Sequence, residues 1–176
     1  MIKNSIYLAV IVTTFLVSPM FAQEPVLFDG TNPIVLSFQT PSGQNGFSAN
    51  DPIPQSALIT PADLAKELQS AKRKPLILNV GPRTLYLQAH IPDAEYMGAA
   101  AADTSQQKLR DRVKSLPKNS AIVLYCGCCP WSHCPNVHPT YQLLHSLRYT
   151  NVKVMYVATD FGTDWVNKGY PVAKGE

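Results

Sequence analysis

The chain has 176 residues, 45% of them hydrophobic and 15% charged, with a formal net charge of +3 and four cysteines. At roughly 100–200 residues per domain this is about one globular domain, and the composition excludes collagen-like, coiled-coil and wholly disordered chains. The charge is too small, and the basic residues too scattered, for a nucleic-acid binder, and four cysteines do not make a disulfide-scaffolded miniprotein.

The chain opens with Lys3, an apolar run from Ile6 to Val17, and the break Ser18-Pro19-Met20-Phe21-Ala22. This three-part layout predicts a secretory signal peptide over residues 1–22. The run is shorter than the ~20 residues that span a bilayer, so a cleaved leader is expected rather than a membrane anchor. The mature protein then starts near Gln23 and works in the periplasm or outside the cell, without membrane attachment. In such an oxidising space thiols are paired, metal-bound or chemically cycled. Residues 23–56 form an extended N-terminal segment rich in Pro, Gly, Ser, Asn and Gln, a composition of turns rather than long helices. Ile34, Val35, Leu36 and Phe38 either add a short strand or packing face, or ride on a free arm.

The folded domain is expected over residues 57–176. Thr60-Pro61-Ala62-Asp63 supplies an N-cap, a proline at the first helical position and an acid in the first turn. Leu64 and Leu68 give that helix its buried face, Lys72, Arg73 and Lys74 suit its C-terminal end, and Pro75 closes it. Leu76–Val80 reads as a buried strand punctuated by Gly81-Pro82, and a second short strand is expected over Ala94–Met97. Thr104 is a candidate cap for a helix over residues 105–115 with Leu109, Val113 and Leu116 inward. Ala121–Tyr125 is a further buried strand that runs straight into Cys126. A helix is expected from Pro139 to Leu147, with Leu143, Leu144 and Leu147 inward and His145 outward. A strand follows over Val152–Val157, then a last short helix from Asp160 to Lys168. Alternating strands and helices predict an α/β protein with a parallel sheet covered on both faces. Working residues in such sheets sit just past the strands' carboxyl ends, where Cys126 falls.

Three motifs carry a resemblance. Ala89-His90-Ile91-Pro92-Asp93-Ala94 is similar to a Gly-His-Ile-Pro-Gly-Ala motif, Tyr125-Cys126 to a strand ending in an active-site cysteine, and Trp165…Gly169-Tyr170-Pro171-Val172 to a closing Trp…Gly-Tyr-Pro-Val segment. Over roughly Ile59–Val172 the chain resembles the rhodanese-like domain family. The resemblance implies a three-layer fold with a central parallel five-stranded sheet, and a cysteine cradled by loop amides that carries a persulfide sulfur. Asn79-Val80-Gly81 departs from the family's Asp-Val-Arg. The loop from Cys126 to His138 is longer than the family's and contains no Lys or Arg, which disfavours an oxyanion donor such as thiosulfate held in the loop. Phosphatase relatives of the fold need an Arg where Ser132 stands.

All four cysteines lie in this loop, at 126, 128, 129 and 134. In the preferred reading Cys126 is the catalytic thiolate, exposed at the sheet's edge and ringed by main-chain amides. Gly127 lets the loop turn into an anion cradle, and Cys128, Cys129 and Cys134 act as resolving or modulating thiols. The partners are then a small sulfur donor and a thiol acceptor, and no cofactor is required. In a second reading the loop binds Zn or Cu: Cys126-x2-Cys129 has ligand spacing, and Cys134 with His133 or His138 completes an N/S set. Adjacent Cys128 and Cys129 are expected to point apart and not to share an ion. In a third, disulfides staple the loop of a catalytically silent domain that binds a partner protein. His90 is expected to be a structural hydrogen-bonder, Trp165 core, Arg83 surface, and Trp131 either a lid or an aromatic plug.

Overall fold

The computed structural model describes residues 51–176. The expected leader, and residues 23–50 with the Ile34–Phe38 group, lie outside the described residues. The elements in chain order are a 3-10 turn at Gln55–Ala57, β1 (Leu58–Ile59), α1 (Pro61–Ser70), β2 (Leu76–Asn79), α2 (Arg83–Gln88), β3 (Glu95–Tyr96), α3 (Asp103–Val113), β4 (Ile122–Tyr125), α4 (Val137–Ser146), β5 (Val152–Met155) and α5 (Phe161–Asp164). Further 3-10 turns lie at Trp131–His133 and Val166–Lys168. Among the described residues no helix is long and apolar enough to cross a membrane.

The five strands form one sheet in the order β1-β5-β4-β2-β3, every pair parallel. Parallel strands need covered faces, and the period-2 alternation of side chains divides each strand between two cores. Leu78, Ile122, Leu124 and Val154 face one core with Leu109 and Val113 of α3 and Leu144 of α4. Ile77, Val123, Tyr125 and Met155 face the other with Leu64 of α1, Tyr86 of α2 and Phe161 of α5. This is the expected three-layer α/β architecture.

Several boundaries differ from the sequence reading, each for a local reason. Residues 51–56 already belong to the fold, because Ile53 is buried in the α3/α4 core. β1 was not anticipated; its two residues pair with Val154 and Met155 and are too few to show a pattern. α2 was also not anticipated: Pro82 does not merely punctuate β2 but precedes the first turn of a six-residue helix. Lys72–Lys74 lie beyond α1, whose C-cap is Ala71. Thr104 lies inside α3 rather than capping it. α4 starts two residues before Pro139, which is tolerated because first-turn N–H groups have no intrahelical acceptor. The last helix divides at Trp165 into α5 and a 3-10 turn, with Asp160 capping α5 through Thr163 N–H.

From β2 the chain continues outward to β3, and from β4 outward to β5, so the strand order reverses between β2 and β4. Open α/β sheets bind ligands beyond the carboxyl ends of the strands at this reversal. Gly81 follows β2 and Cys126 follows β4, and a Cβ on Gly81 would lie 2.7 Å from the Cys126 carbonyl oxygen and 3.3 Å from its sulfur. The topology therefore sets Cys126 at the switch point, against a residue that has to be glycine.

Candidate functional site

Past β4 the chain turns sharply at Gly127, which has φ +75°. A Cβ there would sit 2.5 Å from Cβ of Phe161, and the Gly127 carbonyl accepts the Phe161 N–H at 3.0 Å. Both the left-handed backbone and the close approach require glycine. The turn brings the Cys128 sulfur to 3.1 Å from that of Cys126. The 3-10 turn at Trp131–His133 then delivers Cys134 to the start of α4. The sulfurs of Cys126, Cys128 and Cys134 all lie within 4.8 Å of one another, and all four cysteines are free thiols. Cys126, Cys129, Cys134 and Trp131 border a cavity of about 10 Å³, room for one water-sized group.

This arrangement corrects two expectations. Cys126 is 4% exposed, not open at the sheet's edge. Its hydrogen-bond partners are also side chains rather than main-chain amides: Cys128, Cys134 and the Nδ2 of Asn136 at 3.3 Å. The amides that were expected around Cys126 point instead at Cys134, where the N–H groups of Asn136 and Val137 donate. The neighbouring Cys134 sulfur, together with burial, holds the Cys126 thiol, which donates to Cys128, protonated well above the usual thiol range. The closeness of Cys126, then the two amides, outweigh burial and draw Cys134 down to about 6. Burial and the neighbouring Cys128 push Cys129 up to about 12. The negative charge of the cluster thus rests on Cys134, beside the N-terminus of α4. Gly127 serves as the hinge of the loop.

The expected N/S metal set is not brought together. Among the described residues the single group of three or more candidate ligands is Cys126, Cys128 and Cys134. Cys129 contacts the His133 carbonyl at 3.6 Å, and Nδ1 of exposed His133 pairs with the Ser132 hydroxyl at 2.8 Å. His138 faces Asp51, with Nε2 3.1 Å from its carboxylate. Ligand spacing misled here because the left-handed turn at Gly127 selects residue 128 over 129. Cys128 and Cys129 do not point apart either, since their sulfurs are 3.0 Å from each other.

Sequence reasoning missed two supporting residues. Asn136 is buried; its Oδ1 accepts the Ala100 N–H at 3.0 Å while its Nδ2 donates to Cys126. Its place just before α4 was legible only with the helix start set at Val137. Asp51 accepts from Trp131 Nε1 at 2.9 Å and from the Ile53 N–H at 2.8 Å. Burial would raise its carboxyl, yet these bonds and His138 hold it below the ordinary value of 3.8. Trp131 is buried against the rings of Tyr156 and His138, so it plugs the loop. Asp51 lies 87 residues from His138, and no local pattern links them.

The remaining motif residues are structural. His90 is buried, stacks on Tyr86 at 3.9 Å, and bonds the Tyr86 carbonyl through Nδ1 at 2.8 Å. Trp165 is fully buried with Nε1 donating to the Pro171 carbonyl at 2.8 Å. Arg83 pairs at the surface with Glu176. His145 is exposed.

Comparison with protein families matches residues 60–156, more than half of the chain, to the rhodanese-like domain. A comparison with curated proteins finds no match. Among solved structures, the rhodanese-like domain of an Anabaena protein superposes with a TM-score of 0.51 at 22% identity, over 67% of this chain and 79% of that one. A thiosulfate sulfurtransferase from Pseudomonas aeruginosa gives 0.50 at 20% identity, over 68% of this chain and 20% of its own. EanB, in a cysteine-persulfide tetrahedral-intermediate state with ergothioneine, gives 0.50 at 27% identity, over 66% of this chain and 27% of its own.

Proposed function

The chain belongs to the rhodanese-like domain family and has that family's sulfurtransferase-type fold, and we propose that it handles sulfane sulfur through Cys126, taking it from a small persulfide donor and passing it to a thiol acceptor. The observation that carries this reading is the juxtaposition of the Cys126 and Cys134 sulfurs, within 4.8 Å of each other, at the switch point of the sheet. The EanB structure, with its cysteine persulfide, supports a persulfide as the form this fold can hold.

The geometry divides the work between the two thiols. Cys126 attacks the outer sulfur of a donor R–S–SH as its proton moves to the Cys134 thiolate, which acts as base. The donor's S–S bond breaks, R–S⁻ leaves, and Cys126–S–SH and a neutral Cys134 thiol remain. The Nδ2 of Asn136, 3.3 Å from the Cys126 sulfur, stabilises charge that develops there. An acceptor thiolate R′–S⁻ then takes the outer sulfur as R′–S–SH, and the proton held on Cys134 returns to Cys126. Attack by Cys128 or Cys134 on the inner sulfur releases hydrosulfide and leaves a disulfide that a thiol reductant has to open. Without Lys or Arg in the loop, a neutral or singly charged persulfide suits the site better than thiosulfate.

With a leader expected over residues 1–22, the activity is proposed for the periplasm or the exterior, and an N-terminus at Gln23 in protein recovered from that fraction tests this. The function itself is tested by steady-state sulfur transfer from a low-molecular-weight persulfide to a thiol. Turnover is expected in the wild type, with loss in Cys126→Ser and retention in Cys129→Ser. Turnover that survives Cys126→Ser overturns the reading, and no turnover in a folded wild type supports a silent domain.

A further inference from the structure

Sulfur transfer needs two thiols, and the loop assembles three. We propose that Cys126, Cys128 and Cys134 form a three-sulfur site for a soft monovalent cation, Cu(I). The proposal goes beyond the sulfur-handling reading and does not depend on it.

Three observations point to it. First, a metal about 2.3 Å from each of three sulfurs in a plane places those sulfurs about 4 Å apart, and the three here lie within 4.8 Å of one another, with Cys126 and Cys128 at 3.1 Å. Small shifts of the Cys128 side chain, the least buried of the three, seat an ion among them. Second, the donor set is all sulfur. Soft thiolates favour Cu(I), whereas structural Zn sites are closed by four ligands. The histidines that the sequence offers as a fourth ligand are engaged elsewhere, His138 with Asp51 and His133 with Ser132, and Cys129, 3.0 Å from Cys128, does not lie within 4.8 Å of all three sulfurs. Third, the surroundings suit an anionic thiolate complex. Cys126 and Cys134 are buried, and the Asn136 side chain and the Asn136 and Val137 amides already direct N–H groups at these sulfurs. They are a ready outer shell for the ligands, and binding releases the protons the thiols carry.

The test is an anaerobic titration of the reduced, full-length protein with Cu(I) against a chromophoric Cu(I) chelator, with X-ray absorption on the product. One Cu(I) per chain in a shell of three sulfurs is expected. Cys128→Ser should weaken binding by about 100-fold or more, the upper end of what supporting residues alone cost. Cys134→Ser repeats the test should the first variant lose its circular-dichroism signature. His133→Ala and His138→Ala should bind as the wild type does, and Zn(II) should not displace the copper. No binding, nitrogen in the shell, wild-type affinity in Cys128→Ser, or dependence on a histidine overturns the proposal. Sulfur uptake by the metal-free protein, read by intact mass, is a separate measurement. Uptake without copper binding sinks this site alone, and copper binding without uptake sinks the sulfur reading alone.

Discussion

Two regions of the domain carry its family motifs, and they are built on opposite terms. The bracket around His90 and Trp165 is closed by hydrogen bonds from its rings and backbone. Tyr86 donates to the Ala94 carbonyl at 2.7 Å, the Ile91 N–H reaches the Tyr125 hydroxyl at 3.1 Å, and His90 pairs through its backbone with Ala173. Aromatic area and satisfied hydrogen bonds make this region scaffold. The cysteine loop instead packs three sulfurs against one another and relies on Asn136 and Asp51, from outside the sulfur cluster, to fix their positions. The bracket preserves the fold while the loop is free to carry a chemistry that the family motifs do not specify.

Breaking the bracket should cost stability and spare the chemistry. Trp165→Ala removes a fully buried ring and should lower unfolding free energy by ~3–5 kcal/mol in denaturant titrations, with sulfur uptake per folded molecule unchanged. Gly81→Ala stands where the regions meet. The added carbon, 2.7 Å from the Cys126 carbonyl, should cost ~1–3 kcal/mol and slow sulfur uptake as well. Wild-type stability and uptake in this variant would mean that β2 does not set the position of Cys126.

Asn136 separates position from chemistry. Asn136→Ala orphans the buried Ala100 N–H and should cost ~1–3 kcal/mol. Asn136→Asp keeps an acceptor for Ala100 but turns an anion toward Cys126 and the Cys134 thiolate, so it should lose less stability than the alanine variant and still slow single-turnover uptake. Equal uptake rates in Asn136→Asp and the wild type would assign Asn136 to the scaffold.

The smallest effect concerns acid. Asp51 is held below 3.8 when folded, so its contribution is complete above that value and is lost as pH falls through the lower folded one. The stability difference between the wild type and Asp51→Asn should therefore be constant near neutrality and shrink below 3.8. A difference that first shrinks at neutral pH would place its origin outside this carboxylate.

The strands were legible because parallel sheets bury continuous apolar runs such as Leu76–Val80 and Ala121–Tyr125, and the motifs fixed their order. β1 and α2 escaped because two residues show no period and because Pro82 reads as a break even when it introduces a helix. In the site, the sequence placed Cys126 at the strand end but not its burial. Nor did it show that Cys128 rather than Cys129 joins it, since one left-handed residue reverses what counting along the chain suggests. Asp51 and Asn136 act across distances in sequence that only the folded sheet closes.

The most direct test is to load the reduced, metal-free protein with a persulfide donor, alkylate it at once, and map the added sulfur by peptide mass spectrometry. The account predicts one extra sulfur on Cys126, and none anywhere in Cys126→Ser. Sulfur found instead on the more exposed Cys128 or Cys129, and retained when Cys126 is replaced, would contradict it.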